Sequence, residues 1–237
     1  MFKKILLSLC LILLSYNVYA NDIYIEQVGD SLDLDITQDG QNNEVGDSTT
    51  DAGLFGDNMT FSITQTGNTN TIDAVIRGAT YTGTWSFTGS DNDVALLCSS
   101  TTAGDCDTVT LNITTSGDNN TFDFAIGEVG SSDNATVSFT VTGDNSIIDT
   151  DIDGQSAAVT VTIDNSSSLS TNSANSDEGV ELNLDIDGDG DVNGHTFTLD
   201  VTGGGGTIDV TQSGVYDNTI DLDMTGDDFD VDISQTD

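Results

Sequence analysis

Ser62-Ile63-Thr64-Gln65-Thr66-Gly67-Asn68-Thr69-Asn70-Thr71-Ile72-Asp73-Ala74-Val75-Ile76 is a short alternating run, a polar turn and a second alternating run. Residues two apart on an extended chain share a face, so Ile72, Ala74 and Ile76 line one side of a strand, with Ile63 their counterpart before the turn. The pattern recurs along most of the chain. A unit this short cannot bury its apolar face alone and must stack on copies of itself. The expected fold is all-β: a single β-solenoid built from stacked strand-turn-strand repeats of about 22–28 residues.

Aligned on Gln-x-Gly-x-x-Asn-x-apolar, Gln38-Gly40-Asn43-Val45 and Gln65-Gly67-Asn70-Ile72 match in full. Phe87-Gly89-Asn92-Val94 and Thr115-Gly117-Asn120-Phe122 keep the glycine, the asparagine and the apolar residue, and Val141-Gly143-Ser146-Ile148 keeps the first and last of these. Gln212-Gly214-Asn218-Ile220 keeps all four types with one residue inserted. Gly40, Gly67, Gly89, Gly117 and Gly143 follow one another at 27, 22, 28 and 26 residues, about one coil each. Glycine supplies positive φ at a turn, and asparagine tolerates it while bonding nearby backbone. Stacked in register, the Gln and Asn side chains would form amide ladders, whereas stacked aspartates would repel unless cations or staggering separate them. Polar stretches at 47–58, 98–107 and 165–179 read as inserted loops that leave the stack in one domain. Phe229 to Gln235 is half a unit, which leaves an exposed strand edge.

Residues 1–20 carry Lys3 and Lys4, an apolar core from Ile5 to Leu14 and small residues up to Ala20, the pattern of a secretory signal peptide. The domain expected to follow spans 21–237, with no further apolar run of membrane-spanning length, so the expected protein is secreted and not membrane-inserted. Without residues 1–20, Arg77 is the one base beside 41 acids, a formal charge of −40. Such a charge disfavours nucleic acid and anionic membranes as partners and makes divalent cations expected company. Acid-rich composition is also a mark of disorder, but Val, Ile, Leu and Phe alternating with Thr, Ser and Asp describe half-buried strands. Proline, which cannot donate to a ladder, is absent.

At the repeat residues the chain resembles the curlin repeat proteins, subunits of bacterial curli fibres, whose repeats carry Ser-x5-Gln-x-Gly-x-x-Asn-x-Ala-x3-Gln. Gln38, Gly40 and Asn43, and Gln65, Gly67 and Asn70, fall on the motif. Val45 and Ile72 stand at its alanine, and its trailing glutamine is missing. The resemblance extends over residues 23 to 150 and 207 to 237. It implies a secreted, self-assembling solenoid of an extracellular, amyloid-like fibre or biofilm matrix, its partner being further copies of itself. This chain differs in its acidity, its inserts and its cysteine pair.

Other residues bear on chemistry. Asp185, Asp187, Asp189, Asp191 and Asn193 match the front of an EF-hand-like calcium loop, but Thr196 stands where the bidentate glutamate belongs and the flanks alternate like strands. They make a calcium-stabilised, monomeric surface adhesin the alternative to the fibre, with an acidic hairpin turn as the plain reading of the same residues. The run Gly203 to Asp209 departs from the calcium-roll nonapeptide by one residue. Cys98 and Cys106 are expected to form a local disulfide in an oxidising compartment. His195 is the one histidine, and no enzyme is expected. Trp85, between Tyr81 and Phe87, reads as a core aromatic. Pairs such as Thr140 and Thr142, or Thr160 and Thr162, would make a flat hydroxyl array like that of solenoid ice-binding proteins if they shared one place in the repeat. Their places look inconsistent, and threonine is in any case a good strand residue.

Overall fold

The computed structural model describes residues 21–47, 49, 51–98, 105–127, 133–143, 145–164, 180–188, 194–203, 205–215, 217–226 and 229–236. All strands pair in parallel into one continuous, coiled sheet with two walls. The first wall stacks β1 (Asn21–Ile23) and β2 (Glu26–Val28), β4 (Asn43–Val45) and β5 (Ala52–Phe55), the front of β7 (Thr69–Thr88), β8 (Asp91–Cys98), β10 (Asn120–Ile126), β12 (Ser146–Asp153), β14 (Val180–Asp187), β16 (Gly206–Ser213) and β18 (Phe229–Thr236). The second stacks β3 (Asp33–Asp39), β6 (Met59–Thr66), the rear of β7, β9 (Asp105–Ser116), β11 (Asn134–Thr142), β13 (Ala157–Asp164), β15 (Thr196–Gly203) and β17 (Thr219–Gly226). The coil makes about seven turns.

Alternation decides which side faces in. In the second wall Leu34, Phe61, Gly83, Leu111, Val137, Val159, Phe197 and Ile220 stack in one inward column. Aromatic rings bridge the walls. Trp85 lies edge-on to Phe61 at 5.9 Å and to Phe124 of the facing wall at 6.2 Å, and Phe139 meets Phe124 at 5.2 Å. Trp85 is fully buried and donates its indole N–H to the Phe61 carbonyl at 3.1 Å, as a core aromatic should. Gly83 leaves the space that the Tyr81 ring fills.

Register confirms the sequence alignment for the first coils, whose equivalent residues lie 27, 22, 28 and 26 apart. A later step, from Ala157 to His195, is 38, because the stretch 165–179 is added to it. Two expectations are corrected. The stretch 47–58 is not all loop: Ala52 and Leu54 resume the inward alternation, and β5 pairs with Glu26–Val28 below and Ala74–Arg77 above. The stretch 98–107 likewise ends on strand β9, with residues 99–104 outside the described residues, as are 165–179 and 1–20.

Candidate functional site

The repeat residues build ladders inside the coil corners. Asn43 donates its amide N–H to Asn70 at 2.9 Å, Asn70 to Asn92 at 2.7 Å, and Asn92 to Asn120 at 2.7 Å. Asn21, which sequence reading missed, donates to Asn43 at 3.1 Å, and Ser146 accepts from Asn120 at 3.5 Å. A second donor contact ties Asn43 and Asn70 to the Thr66 and Thr88 carbonyls at the corner. A buried amide satisfied on both sides locks register, because any slip would leave donors unpaired. Gln65 donates to Gln38 at 2.7 Å, and the rung beyond it holds Phe87, so the Gln65 oxygen has no partner.

The glycines of the motif serve mainly close approach. Gly40, Gly67, Gly89, Gly117 and Gly143 stack so tightly that a Cβ on any of the last four would fall inside van der Waals contact of the carbonyl oxygen one coil before. Positive φ at this corner is shared: Gly117 and Gly143 take 151° and 133°, and Asn42, Asn119 and Asn145 take the left-handed conformation at 53–55°.

Gln212 and Gly214 are corrected in phase. Gln212 stacks on Ile186 in the first wall, half a coil from the Gln38 column, and accepts from Gln235 at 3.2 Å. Both corners of a coil pass from strand to strand, so one short motif fits either. Gly214 instead lies over the His195 ring. His195 is buried; its Nδ1 accepts the Ala157 N–H at 3.0 Å, and Asn218 accepts from the His195 backbone at 2.9 Å. Burial holds this imidazole below its usual pKa, against an opposing pull from Asp187. It is a packed core residue.

Asp185 and Asp187 end β14 on the outward side of the first wall rather than opening a loop, while Asp189, Asp191 and Asn193 lie outside the described residues. Burial, then Asp187 and Asp209, raise the Asp185 pKa, and Ser213 donates to Asp187. Among the described residues no three His, Cys, Asp or Glu side chains are gathered to hold a metal. Cys98 and Cys106 are disulfide-bonded.

Outside the core the two walls differ. The first carries acids in register: Asp123, Asp149, Asp209 and Asp232 share a column that Asn183 interrupts, donating to Asp149 at 3.1 Å. In the second wall the outward columns run Thr60–Thr82–Thr110–Thr136, Ser62–Thr84–Asn112–Ser138–Thr160, Thr64–Ser86–Thr114–Thr140–Thr162 and Thr66–Thr88–Ser116–Thr142. The pairs Thr140/Thr142 and Thr160/Thr162 are offset by one column, as expected, since Thr140 meets Thr162 while Thr160 meets Ser138 and Thr142 meets Asp164. The hydroxyl columns arise because serine and threonine fill most of the remaining outward positions.

At both ends the described ladder stops on strands paired on one side only, whose apolar residues are only partly covered: Ile23, Ile25, Leu32 and Leu34 at one, Ile220, Leu222, Phe229 and Val231 at the other. Compared with models of protein families, with curated proteins and with solved structures, the chain gives no match. No helix among the described residues is long and apolar enough to cross a membrane.

Proposed function

We propose that the protein is a secreted structural subunit of an extracellular, curli-like fibre or biofilm matrix, in which copies add end to end by strand pairing. The observation that carries this reading is the pair of open terminal rungs, where the inward Met224 and Ile233 are 36 % and 41 % exposed at one end and the inward Ile23 and Leu34 are only partly covered at the other. Such edges are templates for a further strand, and a second copy presents the same rung spacing and inward alternation. The in-register Asn and Gln ladders supply the type of side-chain stack that parallel assemblies extend. Divalent cations screening the aspartates would assist, since acids face outward on the terminal strands.

Electron microscopy of residues 21–237, incubated with calcium or with a chelator and paired with far-ultraviolet circular dichroism, tests the proposal. Unbranched fibres with a strand spectrum are the expected result. Fibres only with calcium would make cation binding part of assembly. A protein that stays monomeric yet gains strand signal with calcium would replace the fibre with the adhesin, its metal drawn to the region of Asp185 and Asp187.

A further inference from the structure

We infer that the outward face of the second wall is a binding surface for an ordered water lattice, that is, for ice. From β6 to β13 this face is a grid of four columns and five rungs, and the only regular positions without a hydroxyl are Asn112, Ala158 and Asp164. Asp164 is its single acid. The first wall, over the same rungs, places Glu44, Asp73, Asp93, Asp123, Asp149 and Asp151 at equivalent outward positions. The solenoid therefore tolerates carboxylates there, and folding alone does not demand threonine on one side and aspartate on the other.

Parallel strands set hydroxyls about 4.8 Å apart up a column and about 6.6 Å apart along a strand, a rectangular net roughly 20 Å on a side. The ladders hold this net in register without a bulge: the one register shift near it, between Gly78 and Thr80, lies before the first column. The oxygens of the ice prism face repeat on a similar rectangular net, one side close to the strand spacing and the other slightly longer than two residues. Each threonine offers a hydroxyl to bond lattice water and a methyl around which water orders without being oriented by charge. Carboxylates would impose their own hydration and spoil the match, which accounts for their restriction to Asp164 at one corner of this grid. A crystalline polysaccharide is the other regular partner, but its sugar rings are gripped by exposed aromatics, and this face has none.

The test is ice recrystallisation and thermal hysteresis with the full chain from Asn21. Three variants are compared with the wild type: Thr114→Lys with Thr140→Lys at the centre of the grid; Thr114→Val with Thr140→Val, which keeps shape and strand propensity; and Thr207→Lys on the first wall. Circular dichroism monitors the fold of each. The wild type and Thr207→Lys are expected to shape ice crystals and slow recrystallisation, the lysine pair to lose this activity, and the valine pair to lose part of it. A folded wild type that leaves ice unshaped overturns the inference, as does a folded lysine pair as active as the wild type. Retention on crystalline cellulose or chitin without any effect on ice would also overturn it and assign the face to polysaccharide.

Discussion

Asn92 receives an amide N–H from Asn70 and gives its own to Asn120 and to the Thr115 hydroxyl at 3.0 Å, all buried, and to the half-buried Gly89 carbonyl at 3.4 Å. Asn92→Ala removes one side chain but strands groups on the rungs above and below, and an unsatisfied buried polar group costs about 1–3 kcal/mol. The urea midpoint should fall accordingly, with Asn92→Ser recovering part of the loss, since Ser146 already serves in that column. His195 sets a pH dependence of its own. Its folded pKa lies below the unfolded value, so its contribution is present above about pH 6.5 and is lost as pH falls through the depressed folded value. Protonating Nδ1 would also break the bond from the Ala157 N–H. The difference in melting temperature between the wild type and His195→Gln should therefore shrink, or turn negative, between about pH 7 and about pH 5; a difference that does not change with pH would contradict a neutral, buried histidine.

Strands were legible because alternation is a local property: Ile72, Ala74 and Ile76 announce their face without reference to any other coil. Phase between coils is not local. Turn lengths vary, so the column that joins Thr140 to Thr162, the displacement of Gln212 and the resumption of β5 inside a polar stretch emerge only from pairing. Asn21 escaped notice because no Gln-x-Gly precedes it. The cysteine pair was legible because these are the two cysteines beyond the leader of a chain expected in an oxidising compartment, and its placement shows which element it holds: Cys98 closes β8, Cys106 lies at the start of β9, and both are buried. The cross-link spans a separation of 8 residues. Restricting an unfolded chain over so short a loop stabilises the fold by about 2–3 kcal/mol in the loop-entropy account. Reduction should lower the melting temperature while leaving the strand spectrum intact at room temperature, because the ladders on either side persist. Melting curves with and without a phosphine reductant check this, and an unchanged curve would show that the bond constrains nothing in the unfolded chain.

Across the whole molecule, parallel register is both the source of strength and the source of strain. It aligns amides that attract and, on the first wall, carboxylates that repel across a strand spacing of about 4.8 Å. Each such pair costs about 1 kcal/mol even in water, and salt reduces it. Burial lifts the pKa of Asp73 and of Asp185, and neighbouring acids add to both: Asp51, Asp47, Asp93 and Asp123 for the first, Asp187 and Asp209 for the second. A carboxyl whose folded pKa is raised binds its proton more readily in the fold than in the unfolded chain. Its stabilising contribution is complete below the ordinary carboxylate pKa and is lost as pH rises through the folded value. Asp73 and Asp185, with Glu44 raised likewise by burial and by Asp22 and Asp47, outnumber the single histidine, so the melting temperature should climb as pH is lowered from about 7 towards about 4.5, the reverse of ordinary acid denaturation. At neutral pH, added salt should raise it too, and that salt effect should fade as the pH nears the sequence pI of about 4.1. End-to-end association should follow the same course, since the charge that opposes coil on coil also opposes copy on copy. Scanning fluorimetry and light scattering over a grid of pH and salt measure both at once. A melting temperature that falls steadily with acid would mean that in-register carboxylates are already neutralised, and would move the search to cations bound between the rungs.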